Sequence, residues 1–572
     1  MKKGLKRAVV LFLMLALVIS CFSACGGKDG GDEKENLPVT ELPEIDEPVT
    51  LTILTTRHTG ATTDAKDLWF FKYMEYWFAQ LGYDVTINVQ QTTEVSQQES
   101  LLLSTDSLPD IAWGLGIGRT NIMKYGVEEG MLLDWTPYLN ESMMPNLCKR
   151  FEEVPEAKVG ATAPDGGVYG LPYFAPSQYA SGCYGTSERL YFRQSWLDAC
   201  GVKNPTTQEE FLDVLRAFKK MKTDAATSVP LVSAGSFLEK YLWTCLGFYG
   251  TEPSKYGSTL MIKDGKLELP AYTESYRDFI TMMHTMYSEG LVAKDYFSMS
   301  EATAGGLMRD NACGALAWWT LEYVGEDFAD IVCANPIPMG GNKDIYVSRL
   351  PYYSSYYMWA SADTKYPELV ALMLDFVYSE EGAFTYRYGP EKGKDPLNLV
   401  EGWYKDENGD ITTEMVENGT YDTITAYGRD RLYPFDNAGL RPAMVTSGTG
   451  DYLEFTDAVT GEKYTCIDNI KLDDNTNDGH WRLITIDKWS DHATSIRLHG
   501  SYLDSDTMNE ASDLITVLQN YITKESAKFI TGQRDLSEID AFWKELEGLG
   551  VERYLEINRD SSADFFTETF GK

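Results

Sequence analysis

The residues best suited to chemistry in this chain are aromatic planes beside planar polar groups. Trp113 precedes Gly114 at the end of an apolar run, and Trp318-Trp319 close the run Gly314-Ala-Leu-Ala. Tyr352-Tyr353 and Tyr356-Tyr357 form a second tyrosine-rich stretch, and Arg57 and His58 follow the first strand-like segment. A sugar presents flat C–H faces and a rim of hydroxyls, so its site needs Trp or Tyr planes with Asp, Asn or Arg at the edge. The chain has 13 Trp and 36 Tyr, an enrichment that favours a carbohydrate over an ion or a small amino acid. For each single residue core packing is the competing role, and adjacent strand residues such as Trp318 and Trp319 point to opposite faces. Trp69, Trp77, Trp196 and Trp543 sit at apolar-face helical positions and read as packing.

Other chemistries have little footing. The five histidines (His58, His284, His480, His492, His499) show no zinc-helix spacing, and no Gly-x-Ser-x-Gly elbow, P-loop or dinucleotide fingerprint is present. Two carboxylates suffice for a glycosidase, and 86 acidic residues leave that open. No cofactor or metal is expected. Asp406, Asn408 and Asp410 alternate, as do Asp474, Thr476 and Asp478, but neither run has the acid that closes a calcium loop at its twelfth position.

The N-terminus sets the compartment. Lys2, Lys3, Lys6 and Arg7 precede the apolar stretch Ala8 to Ile19, which is too short for a permanent membrane span. Residues 1–24 therefore read as a secretory signal peptide. Phe22-Ser23-Ala24-Cys25 resembles a bacterial lipobox, with Phe22 where Leu is usual. That resemblance implies an acylated Cys25 at the outer face of the cell membrane; simple cleavage after Ala24 is the alternative. Residues 25–48 are polar, Gly-, Pro- and acid-rich, and read as a disordered tether.

Removing residues 1–24 takes away four positive charges and no negative ones, so the net charge moves from −36 to −40. Nucleic acid is a poor partner for such a surface, and an anionic lipid face would repel it without a covalent anchor. Cys148, Cys183, Cys200, Cys245, Cys313, Cys333 and Cys466 are scattered, as buried filler is, rather than framed as disulfides or a metal finger. One incidental disulfide stays open.

The elements that must position the site alternate between strand and helix. Val49 to Leu54 alternates as a strand, Leu68 to Leu81 has helical spacing, and Val85, Ile87 and Val89 alternate again. This strand–helix–strand unit predicts an α/β lobe with parallel strands. Leu108-Pro-Asp-Ile-Ala-Trp-Gly reads as a third strand running into a glycine-rich loop. Asp165 to Pro172 predicts a turn and then an extended segment that could cross between lobes. Thr206-Thr-Gln-Glu209 reads as a capping box for a helix whose face is Phe211, Leu212, Leu215 and Phe218. Pro367 to Tyr378 and Leu536 to Leu549 predict further helices. Residues 401–480, rich in Asp, Asn, Gly and Thr, give no clear pattern.

Five ordered stretches carry a family resemblance. They are Leu108-Pro-Asp-Ile with Gly130 to Tyr138 and Met144 to Leu147; Gly167-Val-Tyr-Gly-Leu-Pro172; Tyr191 to Asp198 running through Gly201 to Phe218; Tyr366 to Gly382 with Tyr388 to Glu391; and Ala527 to Gly532 with Ile539 to Phe542. Together they resemble the extracellular solute-binding proteins of ABC importers, in the long lipoprotein subgroup associated with oligosaccharides. The resemblance implies a two-lobed α/β periplasmic-binding-protein-like clamp with a ligand cleft between the lobes. Lobe 1 is expected at 49–172 and 357–440, and lobe 2, helix-rich, at 173–356 and 441–572. It further implies a monomer that captures a carbohydrate by hinge closure and delivers it to ABC permease subunits. A secreted glycosidase or a surface adhesin lipoprotein is the alternative. The ligand-binding candidates are Trp113, Trp318, Trp319, Arg57, Tyr352 and Tyr353, with no catalytic residue. The calcium loop of some relatives that bind acidic oligosaccharides is missing at 219–230.

Overall fold

The computed structural model describes residues 38–571 except 59–60, 175–188, 222–227, 234, 319–327, 349–352, 408–410, 422, 437, 441–451, 462, 468–487, 499 and 501. Cys25, Cys183, Trp319, Tyr352 and both alternating acidic runs beyond Asp406 fall outside the described residues. Pro38–Lys572 forms one compact unit.

Two mixed sheets organise it. Their strands are β1 (Val49–Thr56), β2 (Val85–Thr92), β3 (Ile111–Ile117), β4 (Gly170–Phe174), β5 (Leu190–Arg193), β6 (Val229–Ser233), β7 (Cys313–Ala317), β8 (Ile331–Cys333) and β9 (Tyr353–Ala360). The first sheet has the order β2-β1-β3-β9-β4 and the second β8-β5-β7-β6. β1 pairs in parallel with β2 (Ile53 opposite Val89) and β3 (Ile53 opposite Ile111). The helix Trp69–Leu81 makes the crossover, as the strand–helix–strand pattern requires. β9 returns late in the chain and wedges antiparallel between β3 and β4, with Met358 opposite Trp113 and Leu171. In the second sheet β6 and β7 are parallel, and β5 is antiparallel to β7 and β8.

Each sheet has its own apolar core. One gathers residues between Val49 and Phe174 and again between Tyr356 and Leu440; the other draws on Leu190 to Val347, Trp489 and the C-terminal helices as far as Leu555. Trp69 and Trp196 are buried in these cores, and Trp77 and Trp543 pack against them half-buried, as their spacing predicts. Cys245, Cys313 and Cys333 are buried thiols.

The capping box lies one residue further on than the sequence reading. Thr207 is the N-cap of the helix Gln208–Lys220 and its hydroxyl accepts from the Glu210 N–H. The Glu210 carboxylate in turn accepts from the Thr206 N–H and hydroxyl, both at 2.8 Å. In the uninterpreted stretch, short strands at Tyr404–Lys405 and Ile411–Thr412 pair as a hairpin, as do Tyr452–Thr456 and Lys463–Ile467. Between them the helix Ile424–Arg431 packs into the first core through Tyr427.

Candidate functional site

Three of the sequence-predicted site residues are structural in this arrangement. Trp113 on β3 is fully buried. Its ring lies 5.6 Å from Phe70, 6.1 Å from Phe71 and 5.9 Å from Tyr386, and its indole N–H donates to the Tyr386 hydroxyl at 3.2 Å. That is a core position under the crossover helix, so the stacking role expected for it gives way to packing. Arg57 points into the lobe, donating to the carbonyls of Arg429 (2.7 Å) and Thr63 (2.6 Å). Its guanidinium ties the returning segment 429–433 to the end of β1 and offers no free fork. Trp318 is buried at the end of β7, its main-chain N–H donating to the Arg189 carbonyl. Tyr353 opens β9 half-buried, opposite Phe174.

What the two sheets do present is a different aromatic set. On the first sheet, Phe435 lies across Gly114 in β3, whose φ of +77° suits glycine and where a Cβ would stand 2.9 Å from the phenyl ring. Tyr357 of β9 meets Phe435 with ring centroids 5.2 Å apart, and His58 stacks on Phe435 at 6.3 Å and 17°. All three are half-buried. Beside them, the Asp436 carboxylate accepts from Arg387 Nη1 at 2.5 Å and Arg429 Nε at 2.9 Å, and lies 3.6 Å from His58 Nε2. Burial alone would raise that carboxyl, but the Arg387 and Arg429 charges hold it well below the usual carboxylate range. Burial lowers His58, with Arg429, Arg57 and Arg387 adding to the effect against Asp436, so the imidazole is neutral at pH 7. Three half-buried planes rimmed by fixed polar groups match what a pyranose or furanose ring needs.

Across β9 the side chains alternate to the other face. There Arg119, just past the end of β3, is held between two tyrosines, its guanidinium carbon 5.6 Å from the Tyr356 ring centre and 5.4 Å from that of Tyr502. Nη2 donates to the Tyr356 hydroxyl (3.1 Å) and the Gly160 carbonyl (3.4 Å), and the Tyr356 hydroxyl also donates to Gly160. Gly500 closes against Nη1, where a Cβ would sit 2.8 Å away. Next to Arg119, a cavity of about 410 Å³ opens between the turn at Thr120–Glu128 and the start of the helix Ser505–Thr531.

The second sheet carries a matching plane. Phe237, at the start of the helix that follows β6, lies half-buried over Trp318, 5.6 Å away and tilted by 33°. Lys240 Nζ stands 5.0 Å from the Phe237 ring and pairs with Glu252. Trp318 thus supports an aromatic surface that Phe237 presents. Phe237 and Phe435 carried no sequence signal of their own: Phe237 heads an apolar helix, and Phe435 lies in the unread 401–480 stretch. Among the described residues no group of three or more His, Cys, Asp or Glu is placed to hold a metal ion.

The chain resembles known proteins over most of its length. The family described as bacterial extracellular solute-binding protein matches residues 61–384. The fructooligosaccharide ABC transporter substrate-binding protein FusA of Streptococcus pneumoniae is 21% identical over 570 residues, 97% of each chain. The lipoprotein LipO of Bacillus subtilis is 26% identical over 183 residues, 31% of this chain and 32% of its own. Among solved structures, FusA in complex with kestose superposes with a TM-score of 0.69 at 18% identity, over 91% of this chain and 100% of that one. A solute-binding protein of Bifidobacterium longum infantis, described as binding HMO and associated with an ABC transporter, gives 0.69 at 18%, over 92% and 100%. The fold is therefore the two-lobed α/β architecture that the ordered motifs imply.

Proposed function

The chain belongs to the bacterial extracellular solute-binding protein family, and from that premise we infer that it captures a carbohydrate between its lobes and hands it to the permease subunits of an ABC importer. The observation that carries this reading is the presence of half-buried aromatic planes on both sheets: Tyr357, Phe435 and His58 on one, Phe237 on the other. His58 and Phe237 sit just past the carboxyl ends of β1 and β6, where α/β lobes hold ligands. Several planes spread over two lobes suit an oligosaccharide better than one ring, in keeping with the name of FusA. Lobe 1 is assigned to 49–172 and 357–440 and lobe 2 to 173–356 and 441–572, so that closure brings the two surfaces together. Tyr353 lies at the crossing and completes the ligand set.

The protein works as a monomer without catalysis, tethered through a lipid on Cys25 at the outer face of the membrane. The lipobox-like Ser23-Ala24-Cys25 and the partial likeness to LipO support the anchor. A thermal-shift screen of mono- and oligosaccharides tests the reading. A ligand that binds only the folded form stabilises it by about 2.7 kcal/mol at a hundredfold excess over Kd, so a true ligand must raise the melting temperature. A broad oligosaccharide panel that leaves the melting temperature unmoved, while another solute class raises it, defeats the assignment.

A further inference from the structure

Resting on the lobe assignment above, we propose that the stretch from Tyr502 to Glu510 is a strap that holds the two lobes of the unliganded protein in the arrangement seen here, fastened at Arg119 of lobe 1. The path of the chain carries the argument. Leu498 lies on lobe 2: it packs against the second core, and its N–H donates to the Gly250 carbonyl at 2.8 Å. Four residues later Tyr502 packs against the first core instead. At Asp504, the N-cap of the helix Ser505–Thr531, the chain turns back, and Ala511, Leu514 and Leu518 rest on the second core again. A segment with both ends on one lobe and its middle on the other must slide or let go when the lobes separate.

Arg119 is where that middle is fastened. Its guanidinium is fixed from the lobe 1 side: Nη2 donates to the Gly160 carbonyl and the Tyr356 hydroxyl, and the Tyr356 ring lies 5.6 Å from the guanidinium carbon. The Tyr502 ring comes up to the same carbon at 5.4 Å, and Gly500 lies so close to Nη1 that a Cβ there would stand 2.8 Å away. A guanidinium already held in place by hydrogen bonds is a pre-organised platform for a second ring. Beyond it the seam is not packed. The cavity of about 410 Å³ has Thr120, Lys124 and Glu128 on the lobe 1 side and Asp504, Asp506 and Asn509 on the strap side, and among the described residues no ion pair crosses it. A polar, unfilled seam with carboxylates on both sides adds little cohesion and leaves the strap room to shift. The fastening also adjoins the aromatic surface. Tyr356 is the neighbour of Tyr357, and the pairing of β9 with both β3 and β4 shifts register between Tyr356 and Met358. Strap and aromatic surface therefore share one irregular stretch of β9, the kind of place where a strand re-aims its side chains.

Small-angle scattering and amide hydrogen exchange on the purified protein, with no sugar added, test the strap. Tyr502→Ala removes the ring that rests on Arg119. We expect its radius of gyration to exceed that of wild type. Amides from Tyr502 to Glu510 should exchange at least ~10-fold faster, while those of both sheets and of the helix beyond Leu518 keep their protection. Tyr502→Phe keeps the ring and should match wild type in both readings. Faster exchange with an unchanged radius overturns the proposal, because the stretch is then a surface segment that does not hold the lobes. Unchanged exchange overturns it as well. If Tyr502→Ala fails to fold, Gly500→Val decides by the same two readings, since its side chain wedges the strap away from Nη1 without emptying a packed site. No arm involves a carbohydrate, so failure here leaves the capture reading to the thermal-shift screen.

Discussion

Replacing Trp113 by alanine separates a core role from a ligand role more sharply than any other single change. The indole is fully buried against Phe70, Phe71 and Tyr386. An aromatic of this size buries ~150–250 Å², which at about 25 cal/mol per Å² amounts to roughly 4–6 kcal/mol of transfer free energy. Alanine keeps part of that, the surroundings relax into part of the void, and the net cost of such a truncation is about 3–5 kcal/mol. The lost hydrogen bond adds little, because the Tyr386 hydroxyl keeps its own acceptor, the Phe435 carbonyl, at 2.6 Å. The assay is urea unfolding followed by fluorescence, beside calorimetry with a ligand from the thermal-shift screen. Trp113→Ala should move the unfolding midpoint far down, while Trp113→Phe sits between it and wild type. Affinity per folded molecule should change by less than ~1 kcal/mol. A variant as stable as wild type that loses about 1–3 kcal/mol of binding would refute the packing assignment and return Trp113 to the cleft.

Phe435→Ala and Tyr357→Ala should show the reverse, losing about 1–3 kcal/mol of binding by calorimetry with a small stability change, since both rings are half-exposed without ligand. Cys25→Ser should move the protein from the membrane fraction to the medium; equal release of wild type would defeat the anchor. Asp375 caps the helix Pro145–Glu153 by accepting from the Asn146 and Leu147 N–H groups, and burial, against those bonds, raises its carboxyl to about 6. A raised acid contributes stability that is fully present below the unfolded value near 4 and lost as pH rises through about 6, an amount of up to about 3 kcal/mol. Asp375→Asn should therefore flatten the stability curve between pH 4 and pH 7 relative to wild type in paired denaturant melts; parallel curves would contradict this.

The fold was legible where periodicity and burial agree. The alternation at Val49–Leu54 and Val85–Val89 and the aromatic stripe of Trp69–Leu81 specify a parallel unit because one face of each must be buried. The site was less legible because a strand residue next to a glycine has two physical uses. Gly114 does mark a close approach, as its position suggests, but the group that approaches is Phe435 from more than three hundred residues away, and Trp113 turns inward. Similarly, the run ending at Trp318 does reach a surface, yet Phe237, which opens the helix after the neighbouring strand, lies on top of it. Long-range contacts of this kind leave no periodic trace. The same holds for Arg119, whose tyrosine partners Tyr356 and Tyr502 come from two later parts of the chain.

The central claim, capture of a carbohydrate by closure of two lobes, is tested most directly by small-angle scattering of the purified protein with and without a saturating oligosaccharide hit. Binding across both aromatic surfaces requires the lobes to approach, so the account predicts a smaller radius of gyration with ligand and no change with a sugar that fails to bind. An unchanged radius at saturation would contradict it, making the protein a rigid module with its ligand on one lobe alone.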